Sequence, residues 1–209
     1  MPIKFLANHN TIIFGQTGAG KTHFVLEVIK RKLILPFPQN IYYMYSVEQD
    51  FMKTWNDTNT TPITFIKGLD FESMDTSKPS MLVIDDLILS NNKEVGEMFI
   101  LGSHHKKISL FFLTQTLFPN CSIFRTMSEN AHYYVLFHCQ RHIRKVHTLF
   151  HQAFDRENIK RVTNAYKRAG NKPRGFIVLS FSPLLPKELT VVTDWWQPWV
   201  SVYLQNQLN

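Results

Sequence analysis

Short apolar runs alternate along this chain with stretches whose apolar residues recur every three or four positions, the two periods of buried strands and amphipathic helices. Residues 11–14 (Thr-Ile-Ile-Phe) predict a strand. Residues 22–33 predict a helix with Phe24, Val25, Val28, Ile29 and Leu33 on one stripe, stopping near Pro36. A second strand is predicted over 41–45, dense in aromatics, with Tyr42, Tyr43 and Tyr45 read as parts of a buried sheet. Residues 50–61 read as polar and turn-like, 63–66 as a short edge strand, and 81–86 as a strand buried on both faces.

A helix is predicted over 91–103, with a small basic loop at 103–107 and a further buried strand over 108–113. Residues 121–130 read as a short helix or loop, and 132–137 as a fifth strand. Asp155 is a natural N-cap for a helix with Ile159, Val162 and Tyr166 inward and Gly170 as its stop. Residues 175–180 give the last clear strand. The tail, 183–209, holds Trp195, Trp196, Trp199 and three prolines, and its pattern specifies no element. Alternating strands and helices predict a three-layer α/β sandwich around a mostly parallel sheet, in one domain spanning 1–209 with its core at about 10–182.

The most specific chemistry lies at 15–22, Gly-Gln-Thr-Gly-Ala-Gly-Lys-Thr, which meets every fixed position of the phosphate-loop pattern G-x-x-x-x-G-K-[ST] between a predicted strand and helix. Such a loop turns its backbone N–H groups inward around a phosphate chain, so Gly15, Gln16, Thr17, Gly18, Ala19, Gly20, Lys21 and Thr22 form the expected nucleotide cradle. Lys21 would place a cation near the β- and γ-phosphates, and the Thr22 hydroxyl would ligate Mg²⁺. A nucleoside triphosphate, with ATP as its natural form, is the expected ligand.

Asp85 and Asp86 end the strand predicted over 81–86, and a carboxylate at the tip of a central parallel strand lies where open α/β sheets bind their ligands. Asp85 suits Mg²⁺, directly or through water. Asp86 suits the orientation or deprotonation of an attacking water. Gln115 follows the next strand, where its amide would meet both the γ-phosphate and that water.

Charge changes the picture further. Ten of the 23 Lys and Arg residues fall in 141–174 with only two acids, whereas the rest of the chain carries 13 basic and 14 acidic side chains. The net +7 is therefore localised, as a polyanion-binding surface requires, although a solvated helix face is the plainer explanation for any single residue. The two cysteines, Cys121 and Cys139, supply no disulfide framework and predict a reducing compartment. Cys139, His142, His147 and His151 lack the paired spacing of a zinc site. No run predicts a membrane span, and the N-terminus lacks the apolar core of a signal peptide.

Several stretches together carry a family likeness: 15–22; 81–86 followed by Leu87; Gly102-Ser103-His104-His105-Lys106-Lys107-Ile108-Ser109; Phe112-Leu113-Thr114-Gln115-Thr116; and the segment 124–134. In combination they resemble the viral DNA-packaging ATPases, the poxvirus-type and Polinton/adintovirus-type members of the FtsK/HerA superfamily. The likeness runs over about 10–182. It implies a P-loop NTPase of the additional-strand (RecA/FtsK-like) type that assembles as a homo-oligomeric ring, hexameric or pentameric. Such a ring hydrolyses ATP with Mg²⁺ to pump double-stranded DNA into a preformed viral capsid.

The resemblance also implies an arginine supplied in trans to a neighbouring subunit's nucleotide, with Arg125 the candidate and Arg141 and Arg144 behind it. Capsid proteins are implied partners, and the implied location is the host cytoplasm or nucleus where virions assemble, or the virion itself. Lys106, Lys107, Arg141, Arg144 and Lys145 are the candidate DNA contacts. One departure stands out: many superfamily members carry Glu where this chain has Asp86, so water position or backbone placement has to offset the shorter side chain. Nuclease or DNA-orienting tasks are expected to fall to partners. A small nucleoside or nucleotide kinase, an ATP-gated scaffold and a helicase are the competing readings of the same residues.

Overall fold

A computed structural model describes residues 3–87, 93–119, 122–193, 195 and 201–202, with residues 93 and 103–105 described by backbone alone. In chain order the elements are β1 (Phe5–Leu6), β2 (Asn10–Phe14), α1 (Lys21–Lys30), β3 (Ile34–Leu35), β4 (Asn40–Tyr45), α2 (Asp50–Thr58), β5 (Thr64–Lys67), β6 (Ser80–Asp85) and α3 (Lys93–His105). There follow β7 (Ile108–Thr114), α4 (Ser122–Glu129), β8 (Tyr133–Phe137), α5 (Ile143–Ala153), α6 (Arg156–Gly170), β9 (Phe176–Ser180), β10 (Val191–Thr193) and β11 (Ser201–Val202).

Nine strands form one sheet in the order β11-β10-β9-β8-β2-β7-β6-β4-β5. From β8 to β5 every pairing is parallel, and β9, β10 and β11 extend one edge antiparallel. The strand leading to Gln115, β7, lies between the phosphate-loop strand β2 and the acid-bearing strand β6. That insertion is the additional-strand arrangement.

All residues of β2, β6, β7 and β8 are buried, and their sequences are mostly apolar without a polar face, because helices cover both sides of the sheet. Alternate residues go to opposite faces. Ile12, Leu82, Ile84, Leu110 and Phe112 join a core under α3, α4, α5 and α6, whereas Ile13, Met81, Val83, Phe111 and Leu113 join a second core with α1 and α2.

Three sequence expectations need correction. Residues 50–58 form α2 and not a turn, because Met52 and Trp55 are buried at helical spacing and the Trp55 indole donates to Thr61 O (2.9 Å); the surrounding Asn, Asp and Thr residues mask that stripe. Residues 103–105 are the last turn of α3, which leaves only Lys106 and Lys107 in the basic loop. Gly170 is the last residue of α6 and not its stop. A side chain there would meet the His138 ring at 2.5 Å, so this glycine serves packing, and Asn171 caps the helix. Asp155 does cap α6, accepting from Asn158 N at 2.9 Å, a contact of about 1 kcal/mol. The tail, unassigned from sequence, supplies β10 and β11, and Trp195 stacks on Phe5 (centroids 4.8 Å apart). Trp196, Pro198, Trp199, Asn91 and Cys121 lie outside the described residues.

Candidate nucleotide site

The loop between β2 and α1 is held open by its glycines. Gly18 (φ 76°) and Gly20 (φ 108°) occupy the left-handed region that side chains disfavour. A Cβ on Gly15 would come within 3.0 Å of both Ala19 and Phe137, so the backbone closes there as only glycine allows. Gly15 N donates to Thr114 O (3.2 Å), tying the loop's start to the tip of β7.

Lys21 opens α1, and its ammonium donates to the carbonyls of Gly15 (2.8 Å) and Gln16 (3.4 Å). Burial lowers its pKa, with the charges of Asp86 and Asp85 acting in the opposite direction. A positive charge is thus held inside the loop by two backbone carbonyls, with two carboxylates close enough to favour it.

Asp85 is buried at the end of β6, in register with Tyr45 on β4 and Leu113 on β7. Its Oδ2 accepts from Tyr43 Oη (2.5 Å), Gln49 Nε2 (3.2 Å) and Thr22 Oγ1 (3.3 Å). Burial, and then the carboxylate charge, push the Tyr43 phenol's pKa far up, so it stays protonated and donates to Asp85. Thr22 and Asp85 present two oxygens to one point, a donor set that fits a hard divalent cation.

Asp86 leaves the strand with φ 51°, a left-handed turn that few non-glycine residues take. The turn breaks the strand's up–down alternation, so both carboxylates face one cleft. There Gln115 Nε2 donates to Asp86 Oδ2, and Thr17 Oγ1 donates to Gln115 Oε1 (2.9 Å). Phosphate loop, amide and second carboxylate form one hydrogen-bonded chain.

The cleft measures about 470 Å³, and Thr17, Lys21, Thr22, Asp85, Asp86 and Gln115 line it. Residues separated by up to a hundred positions in the sequence therefore converge as the motifs suggested. Tyr43, Gln49 and Arg174 also belong here and were not foreseen as site residues. Tyr43 was read as sheet core, Gln49 fell between the strand at 41–45 and the stretch read as turn, and Arg174 was one cation among ten.

The remaining candidates lie elsewhere. Arg125 is exposed on α4, beside a separate cavity of about 680 Å³ shared with Phe118, Ser122 and Gln152. Arg141, Arg144 and Lys145 follow β8, at the same end of the sheet as the phosphate loop, where Cys139 Sγ also meets Gln16 Oε1 (3.5 Å). Lys106 and Lys107 precede β7, at the opposite end.

No protein-family model and no curated protein matches the sequence. Among solved structures, the chain is similar to the genome packaging NTPase B204 from Sulfolobus turreted icosahedral virus 2 in complex with sulfate (TM-score 0.52, 13% identity, 86% of this chain and 92% of that one). The fold is that of a P-loop NTPase. Two weaker likenesses have the same character. One is B204, the DNA-packaging ATPase from Sulfolobus Turreted Icosahedral Virus (TM-score 0.49, 15% identity, 83% and 93% covered). The other is the flagellar accessory protein FlaH from Methanocaldococcus jannaschii (TM-score 0.47, 13% identity, 64% and 72% covered). At these identities the likeness establishes the fold alone. No described helix is long and apolar enough to cross a membrane.

Proposed function

We propose that this chain is an ATP-driven double-stranded DNA translocase that packages a viral genome into a capsid, working as a homo-oligomeric ring of six or five subunits. The observation that carries the hydrolytic half is the Thr17–Gln115–Asp86 chain beside the phosphate loop. A kinase acceptor site needs no such relay, and the strand order with β7 between β2 and β6 also disfavours a kinase.

The P-loop would grip the phosphates through its backbone and Lys21, whose ammonium would exchange carbonyl partners for phosphate oxygens. Thr22 and Asp85 are the residues that would hold Mg²⁺, which supplies charge neutralisation across the β- and γ-phosphates. Tyr43 and Gln49 would fix the Asp85 carboxylate. Asp86 would take the proton of the attacking water while the Gln115 amide orients that water, each releasing its present contact with the other.

The DNA half rests on charge and on the motif resemblance. Arg141, just before α5, and the cationic residues of α5 and α6 lie largely on exposed positions, among them Arg144, Lys145, Lys160 and Lys167. Such a surface tracks phosphates without reading bases, as a packaging motor must. Genome packaging is also the stated role of the sulfate-bound B204 NTPase, whose fold this chain shares. Capsid proteins are the expected docking partners, in the host cytoplasm or nucleus or on the virion.

The deciding experiment is ATPase turnover with and without duplex DNA across a salt series. Turnover should rise with intact duplex at low salt and lose that stimulation steeply as salt increases. Slow turnover indifferent to DNA would sink the translocase reading, and unwinding of the duplex would replace it with a helicase.

A further inference from the structure

The acids of this chain are placed as unevenly as its cations. Residues 46–101 hold ten of the 16 Asp and Glu residues and only four lysines, so this stretch is strongly anionic where 141–174 is strongly cationic. The fold keeps the two apart. Residues 46–101 build α2, β5, β6 and α3 on the β7-β6-β4-β5 half of the sheet, whereas α6 packs on β9 and β10, beyond β2 and β8. The molecule is electrically polarised across its sheet.

On the anionic half a groove of about 400 Å³ runs between α3 and the loop after β5. Phe71, Met98 and Leu101 give it apolar walls. Four carboxylates, those of Asp70, Glu72, Glu94 and Glu97, line it as well, together with Lys106. Glu94, Glu97 and Leu101 recur at helical spacing along the exposed side of α3, and Leu101 stays 46% exposed beside the buried Met98. An apolar trough rimmed by carboxylates suits a lysine or arginine side chain, which lays its methylene stem on apolar surface and carries its charge to a polar rim.

The cationic half presents such side chains in a row. Arg156, Lys160 and Lys167 are exposed along one stripe of α6, opposite its buried Val162, Ala165 and Tyr166. Lys160 and Lys167 are seven residues and about 10 Å apart, the same rise that separates Glu94 from Leu101 on α3.

We propose that the α3 groove is the seat for α6 of a second copy of this chain, with Lys160 and Lys167 of that copy entering it. The inference rests on the ring reading above and deepens it by naming the contact. The acidic and basic surfaces lie on opposite halves of one molecule, so the contact they make is head to tail, and repeated copies extend until a ring closes. A two-fold dimer through either surface would set like charges against each other. Lys160 and Lys167 thereby pass from the duplex to the neighbouring copy, and Arg141, Arg144 and Lys145 remain for DNA.

Sedimentation velocity of the full chain with ATP and Mg²⁺, over a range of protein and salt concentrations, tests the contact. Wild-type protein should form oligomers larger than a dimer, and salt should weaken them. Glu72→Lys with Glu97→Lys, and separately Lys160→Glu with Lys167→Glu, all at exposed positions, should each associate at least about tenfold more weakly, because like charges then meet. An equal mixture of the two variants should associate as wild type does. Reversed groove then meets reversed helix at one contact, and native groove meets native helix at the next. Such alternation closes a ring of six and not one of five. Oligomers undisturbed by either pair of changes, or no recovery on mixing variants that keep wild-type thermal unfolding, would overturn the groove and leave the ring reading intact. Undisturbed oligomers with duplex affinity lost only in the α6 variant would return the two lysines to the DNA surface and overturn the groove as well. Wild-type protein that stays monomeric throughout would sink the ring and the groove together.

Discussion

The Tyr43 phenol donates to Asp85 Oδ2 at 2.5 Å, the same oxygen that the Thr22 hydroxyl reaches at 3.3 Å. A tyrosine in the middle of one strand thus anchors the carboxylate at the tip of its neighbour, and the phosphate loop's last hydroxyl shares that anchor. Three elements, β4, β6 and α1, fix one oxygen. A carboxylate held this way keeps its orientation whether or not a cation is present, which is the use of an outer layer of hydrogen bonds around a metal ligand.

Tyr43→Phe should therefore impair metal use more than folding. Asp85 retains Gln49 and Thr22 as donors, so no buried charge is stranded. The Mg²⁺ concentration for half-maximal ATPase should rise about tenfold, within the range found for loss of such outer partners. Mg²⁺ titration of turnover checks this; an unshifted curve would show that Asp85 needs no help from β4.

Asp86→Asn should leave ATP binding near wild type and slow hydrolysis by about 10²–10⁴, the usual contribution of a positioned base. The amide keeps the size of the side chain and its link to Gln115 but cannot take a proton. Single-turnover hydrolysis alongside equilibrium binding separates the two effects. Unchanged turnover would move the base to another residue.

The site was legible where its chemistry is local. The spacing of Gly15, Gly20, Lys21 and Thr22 needs no partner strand to be recognised, and Asp85, Asp86 and Gln115 announce themselves at the ends of apolar runs. Tyr43 and Gln49 were not legible, because their role depends on β4 lying next to β6 with Tyr45 opposite Asp85, and pairing register leaves no mark in one sequence. Trp195 was hidden by proline-rich surroundings that give strands of only two or three residues. The cations were counted correctly but not placed: Lys106 and Lys107 sit at the start of a strand and Arg141 follows the end of one, which puts them at opposite ends of the same sheet.

ATP binding should take up a proton at alkaline pH. Burial lowers the Lys21 pKa below its ordinary 10.5 in the free protein, and phosphate oxygens around the ammonium would raise it. Affinity should therefore be flat while Lys21 is charged in the free protein, and fall as pH rises through its lowered value. In that upper window calorimetry in buffers of different ionisation enthalpy should report net proton uptake. Lys21→Ala should remove both the uptake and most of the ATP affinity; undiminished binding would refute the phosphate-loop assignment.

Arg125 lies outside its own chain's nucleotide cleft, as an arginine acting on a neighbour would. Arg125→Ala alone should lower turnover by up to about 10³–10⁵, the contribution of such a residue in related phosphoryl transfer. Mixed with the separately inactive Lys21→Ala, it should regain partial activity, because some interfaces then pair an intact phosphate loop with an intact Arg125. Normal assembly with no recovery would discredit Arg125 and pass the role to Arg141 or Arg144.

DNA contact should follow the placement of the cations. Each phosphate neutralised contributes a slope of about −0.9 to the dependence of log affinity on log salt concentration. Arg141, Arg144 and Lys145 share one end of the sheet with the nucleotide, where hydrolysis can move them, and neighbour the basic face of α6. Replacing the three by Gln should flatten the slope by about 2–3 units and abolish stimulation of turnover by duplex, with basal turnover unchanged. Lys106→Gln with Lys107→Gln, at the opposite end, should flatten it by less than one unit. The reverse ranking would place the duplex against the start of β7, far from the loop at 15–22, and would require the motion of hydrolysis to travel the length of the sheet to reach it.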